Sequence, residues 1–90
     1  MAIISKAASA GTMESSDAYV EIEPGSAGLE IHVESVVERQ FGQAIVAAVE
    51  DVLREQQVEN AVVRVVDRGA LDCVLRARVE TALLRAKEEP

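Results

Sequence analysis

The sequence predicts an α/β (α+β) fold: a two-layer sandwich in the order β-β-α-β-α, with a three-stranded mixed sheet and two helices on one face. Three observations carry that expectation. Residues 18–23 and 29–34 each alternate apolar with polar side chains, the period of a half-buried strand. Residues 61–66, Ala-Val-Val-Arg-Val-Val, form a β-branched run suited to a strand buried on much of both faces. Two longer stretches repeat apolar residues at helical spacing, the stripe of an amphipathic helix.

Taken in order, residues 1–10 have no steady period and no helix cap, and residues 11–17 are polar. Residues 1–17 therefore read as a flexible N-terminal arm ahead of a single domain, residues 18–87. In the first strand Ala18, Val20 and Ile22 point one way, and Tyr19, Glu21 and Glu23 the other. Pro24-Gly25-Ser26-Ala27-Gly28 is turn chemistry. Leu29, Ile31 and Val33 then oppose Glu30, His32 and Glu34, so the two strands are expected to pair as a hairpin with one apolar and one acidic face. Ser35-Val36-Val37-Glu38 has the pattern of a capping box. The helix behind it sets Val37, Phe41, Ala44, Ile45, Ala48, Val52 and Leu53 on one stripe and fades near Gln56-Gln57. Passing from the second strand through this helix to the strand at 61–66 requires a parallel, right-handed crossover. Asp67-Arg68-Gly69 turns out of that strand. Leu71, Val74, Leu75, Ala82, Leu83 and Ala86 mark a second helix, with Asp72 in its first turn complementing the helix dipole. The acidic side of the hairpin is wet, so both helices belong on the apolar side.

The totals exclude several functions. Ninety residues make one small domain, and a hydrophobic fraction of 49% rules against disorder throughout. A net charge of -7 argues against nucleic acid, whose binding runs on contacts between cations and phosphates, and against an anionic membrane surface. A lone cysteine makes no internal disulfide, so no oxidising compartment is needed. No apolar run approaches a membrane span, and Ile3-Ile4 is too short for a secretory core. The chain reads as soluble and cytoplasmic.

Catalytic constellations are missing from the sequence. His32 lies on the wet face of a strand, Cys73 falls in the first turns of a helix, and nothing brings them into hydrogen-bond reach. The expectation is a surface His32 and a packed, inert Cys73. No ligands have zinc-site spacing, and no glycine-rich phosphate loop joins a strand to a helix. Glu21, Glu23, Glu30 and Glu34 form a solvated acidic face whose one functional reading is the docking of a basic partner surface. No catalytic and no metal-binding residue is expected.

That leaves Gly11-Thr12-Met13-Glu14-Ser15-Ser16-Asp17. A hydroxyl on a pliable segment can enter a modifying enzyme's site, and a group tethered there visits distant active sites at high effective concentration. On chemistry alone an inert polar tail is the favoured explanation, because serines are common in tails. A second stretch, Asp67-Arg68-Gly69-Ala70-Leu71-Asp72-Cys73-Val74-Leu75-Arg76-Ala77-Arg78, and the segment Val37-Glu38-Arg39-Gln40-Phe41-Gly42 complete a pattern. Together these segments resemble the gamma subunit of citrate lyase, its acyl carrier protein, from about Gly11 to Arg85. The family often has Leu at the position of Met13 and Gly after its modified serine, where Ser16 stands here.

The resemblance implies that Ser15, the serine after Gly11-Thr12-Met13-Glu14, carries a covalently attached 2'-(5''-phosphoribosyl)-3'-dephospho-CoA arm through a phosphodiester. The arm would bear acetyl and citryl thioesters while citrate is cleaved to acetate and oxaloacetate. Residues 18–87 would then be an acyl-carrier domain that is not itself a catalyst. Its partners would be the citrate lyase alpha and beta subunits in a hetero-oligomer and a prosthetic-group transferase. Glu14 and Asp17 would bias a negatively charged arm outward. Leu71, Val74 and Leu75 would pack on the sheet, while Arg76 or Arg78, with Arg68 or Arg85, would contact the larger subunits. Two alternatives stay open: a citramalate lyase carrier, and an assembly module whose tail is inert.

Overall fold

The computed structural model describes residues 3–35 and 42–87. It contains β1 (Ala8–Gly11), β2 (Ala18–Glu23), β3 (Leu29–Ser35), α1 (Gly42–Glu55), β4 (Ala61–Asp67) and α2 (Asp72–Ala86). One sheet runs in the order β1-β2-β4-β3. Both helices cover one side of it and pack on each other, so the expected two-layer mixed architecture stands.

Four strands replace the expected three. Part of the stretch read as a flexible arm is β1, which pairs antiparallel with β2 from Ala8 opposite Ile22 to Gly11 opposite Tyr19. Its residues are small and carry no alternating signal; long-range contacts make it a strand. Ala10 is buried opposite buried Val20. The Arg85 guanidinium donates to the Ser9 carbonyl at 2.8 Å. Ile4 is buried and bridges to Lys87 beyond the end of α2. Residues 3–17 thus belong to the same packed body as the rest.

The hairpin expectation is also corrected. β2 and β3 do not pair, because β4 lies between them, antiparallel to β2 and parallel to β3. The reason is burial. β4 buries Ala61, Val63 and Val65 on the helix side and half-buries Val62 and Val66 on the other, so it gains most from neighbours on both edges. The loop from Pro24 to Gly28 steps across the start of β4. At Gly25 a Cβ would stand 3.0 Å from the Ala61 backbone, tighter than most Cβ contacts, so the strand would have to give way. The Ala61 amide donates to the Gly28 carbonyl, and the Gly28 amide donates to Asn60 Oδ1. The parallel crossover through α1 is as expected.

Register sorts the two faces. On the helix side the rows Ala10-Val20-Val65-Val33 and Ala8-Ile22-Val63-Ile31 form the floor of the core. Over it α1 buries Ile45, Ala48, Val49, Val52 and Leu53, and α2 buries Leu75, Val79, Ala82, Leu83 and Ala86. Full burial of one such Val, Leu or Ile is worth about 1.5–3 kcal/mol. Three helix expectations change. Ala44 is exposed and Val49 takes the inner position; Val79 joins the core unannounced; and Leu71 is 71% exposed, standing at the N-cap of α2 rather than packing on the sheet. Val74 is half-buried, and Leu75 packs as expected.

The end of α1 explains itself. The Val58 amide donates to the Leu53 carbonyl and the Gln57 amide to the Arg54 carbonyl, with Gln57 at φ 60°. This is a Schellman ending, closed by buried Val58. Ser35 closes β3 and donates its hydroxyl to Asp67 Oδ2 at 2.9 Å. The expected capping box with Glu38, and the helix positions Val37 and Phe41, lie outside the described residues.

Candidate functional site

Where β1 ends, the chain must reverse within six residues to enter β2. Gly11 begins the reversal at φ 96°, and a Cβ there would run into the Ala18 carbonyl oxygen. Only glycine fits that corner. A β-turn then spans Glu14 to Asp17, closed by the Asp17 amide donating to the Glu14 carbonyl at 3.2 Å. Ser15 and Ser16 are its two central residues, and both are exposed. Ser16 has φ 65°, at the position where turns with one left-handed residue favour Gly.

Asp17 is the hub of the turn. Its Oδ2 accepts from Thr12 Oγ1 at 2.7 Å and its Oδ1 from the Ala18 amide at 2.7 Å. The Arg78 guanidinium adds a fork, Nε to Oδ1 and Nη2 to Oδ2, both at 2.9 Å. Thr12 Oγ1 in turn accepts from the Glu14 amide at 3.2 Å. Arg78 first, then Thr12 and the Ala18 amide, hold the Asp17 carboxyl well below the usual carboxylate range. A fork of this kind on a largely shielded carboxylate fixes geometry as well as charge.

The same turn is stitched to the loop between β4 and α2. The Ser16 amide donates to the Arg68 carbonyl at 2.8 Å, and the Arg68 amide donates to the Asp17 carbonyl at 2.9 Å. That loop is braced by buried Asp67, whose Oδ1 accepts from the Ala70 amide at 3.0 Å while Oδ2 accepts from Ser35. The two sequence motifs, far apart in the chain, therefore form one structural unit at one end of the sheet. Ser15 stands at its tip.

Other expected residues fall as follows. His32 is exposed on the open face, its Nε2 2.8 Å from Glu30 Oε2. Cys73 is exposed on the first turn of α2 and is not the packed residue expected, because that side of the helix start faces away from the sheet. Glu21, Glu23, Glu30 and Glu34 do share the open face. Arg64 stands in their midst and pairs with Glu23 at 2.9 Å, a counter-charge that divides the acidic patch. Among the described residues no group of acidic, His or Cys side chains is placed to hold a metal ion. Arg76, Arg78 and Arg85, the candidates for contacts with larger subunits, all bind within the chain. Arg76 pairs with Asp72 and Asp51, Arg78 with Asp17, and Arg85 bonds Ser9. Asp17 likewise spends its charge on Arg78, so of the two acids expected to repel an arm Glu14 alone presents a free carboxylate.

A small α/β body that holds a serine out on a braced turn has the layout of a carrier domain. Comparison with known proteins makes the class specific. Residues 5–86 match the family model of the malonate decarboxylase delta subunit, an acyl carrier. Citrate lyase acyl carrier protein 2 of Salmonella typhimurium is 51% identical over 87 residues, covering 96% of this chain and 90% of the relative. The citrate lyase acyl carrier protein of Latilactobacillus sakei is 49% identical over 78 residues, covering 87% of this chain and 77% of the relative. A chain from the crystal structure of a Pseudomonas malonate decarboxylase hetero-tetramer in complex with malonate superimposes with a TM-score of 0.80 at 26% identity, covering 93% of this chain and 87% of that one. The chain belongs to the acyl carrier family that joins the citrate lyase acyl carrier proteins to the malonate decarboxylase delta subunit.

Proposed function

We propose that this chain is the acyl carrier subunit of a citrate lyase and that Ser15 is the attachment point of its prosthetic group. The observation that carries the reading is the placement of Ser15 at the exposed tip of a turn braced by both family motifs. Relatives near 50% identity bear the citrate lyase name, against 26% for the malonate decarboxylase neighbour, and this favours citrate lyase.

The residues fit a bulky covalent group. The Ser15 hydroxyl makes no hydrogen bond among the described residues, and no side chain encloses it, so it is open to esterification. The family resemblance points to phosphoribosyl-dephospho-CoA, which would supply the thiol that holds acyl groups as thioesters. This chain's own residues do the rest. Gly11 and Asp17 shape the turn, Arg78 anchors it to α2, and Arg68 ties it to the β4–α2 loop. Because the turn is held on several sides, reach comes from the arm and not from the backbone. The alpha and beta subunits of the lyase would act on that arm in a cytoplasmic complex, and a transferase would install it. No described helix is long and apolar enough to cross a membrane.

The test pairs loading with function. Chain produced together with the cognate transferase should gain the mass of the arm, and added alpha and beta subunits should then cleave citrate. Loaded chain that restores malonate decarboxylation or citramalate cleavage instead would move it to a sister enzyme.

A further inference from the structure

We infer that the Arg68 guanidinium is a binding point for phosphate on the group carried at Ser15, an inference that rests on the reading of Ser15 as the attachment serine. Among the described residues every other arginine has a side-chain partner. Arg54 pairs with Glu50, Arg64 with Glu23, Arg76 with Asp72 and Asp51, and Arg78 with Asp17, while Arg85 donates to the Ser9 carbonyl. Lys87 donates to Gln56 Oε1. Lys6 lies at the opposite end of the sandwich, next to Ser5, whose amide bonds the Ala86 carbonyl. Arg68 is exposed and its side chain bonds nothing among the described residues.

Its backbone, by contrast, is fixed against the serine turn from both sides, by Ser16 N to Arg68 O and Arg68 N to Asp17 O. The Arg68 peptide is therefore bonded to the residue next to Ser15. Asp17, the adjoining carboxylate, is occupied by the Arg78 fork and does not compete for a second guanidinium. On a chain of net charge -7, a guanidinium without a partner among the described residues, on a residue whose peptide bonds Ser16, sets the local sign that a phosphodiester would meet. A planar fork of donors matches phosphate oxygens, as a lysine's point charge does not. Exposure makes the contact modest and salt-sensitive. Arg68 thus holds the first phosphate against the body, and the remainder of the arm swings from there.

The test uses loaded protein whose modification at Ser15 has been located by peptide fragmentation. Wild type, Arg68→Gln, Arg68→Lys and the remote control Arg54→Gln are compared by the 31P signal of the phosphodiester and, in wild type, by the Arg68 Nε–H resonance before and after loading. Since the Arg68 side chain is exposed and makes no hydrogen bond or ion pair among the described residues, its variants should melt with wild type. Loading should shift the Nε–H signal. The wild-type phosphodiester line should be about twofold broader than in Arg68→Gln at low salt, with Lys between, and should approach the Gln line near ~1 M salt, where screening acts within about 3 Å. An Nε–H signal unmoved by loading, or equal lines in wild type and Arg68→Gln at low salt, overturns the inference while leaving Ser15 modified. Fragmentation that finds no phosphodiester on Ser15 removes both the reading and the inference.

Discussion

A carboxylate that accepts from a hydroxyl, a backbone amide and a bidentate guanidinium uses both oxygens as acceptors, so an amide in its place turns one acceptor into a donor facing donors. Asp17→Asn should therefore loosen the turn, and hydrogen exchange at the Ser16, Asp17 and Arg68 amides should quicken by about tenfold or more. Unchanged exchange would show that the turn does not depend on this hub. The pH dependence has a definite sign. The folded carboxyl of Asp17 titrates below its unfolded value, so the unfolded chain binds more protons in the acid range. Its stabilisation is complete above about pH 4 and is lost as pH falls below that. The melting temperature of wild type should drop through this range, and Asp17→Asn should drop less. Ser16 invites the opposite change. Its left-handed φ of 65° is strained for any side chain, so Ser16→Gly should raise stability by up to about 1 kcal/mol in thermal melts, a few degrees for a domain of this size.

Helices and strands set how far such a site can be read ahead of a structure. The alternation at 18–23 and 29–34 and the valines at 61–66 identify three strands, because half-burial writes itself into every second residue. Which strands are neighbours is not written there; burial on both faces of β4 and the length of the Pro24–Gly28 loop decide it. β1 was illegible because Ala8, Ser9, Ala10 and Gly11 gain their strand from β2, Arg85 and Ile4, not from their own preference. The polar turn around Ser15 was legible through its motif, and the serine's role as attachment point is the proposal made above. The fork from Arg78, 61 residues from Asp17, was not, since no local pattern links an acidic turn to a helix that distant in sequence. Apolar spacing on α2 misled in one place: Leu71 fits the stripe but precedes the helix and faces outward. Truncations can check this division. Leu83→Ala, wholly within the core, should cost about 2–5 kcal/mol. Leu71→Ala should stay within about 0.5 kcal/mol by denaturant unfolding. Equal losses would mean that the α2 face is misassigned.

As a whole the molecule separates two tasks. The sheet and helices form a body whose core is continuous from Ile4 to Ala86, and one end of that body presents a serine. A carrier that kept its backbone loose would spend ordering entropy at each encounter with a partner. Here the Ser15 turn is ordered beforehand, and under the proposed function movement is left to the arm. The acidic open face, divided by Arg64, and the start of α2 are exposed. All of this depends on Ser15 being the anchor, and peptide fragmentation of chain loaded by its transferase tests that most directly. The account predicts one added prosthetic mass on the peptide containing Ser15, absent from Ser15→Ala and retained in Ser16→Gly. Loading that survives in Ser15→Ala, or a mass located on any other residue, would contradict it.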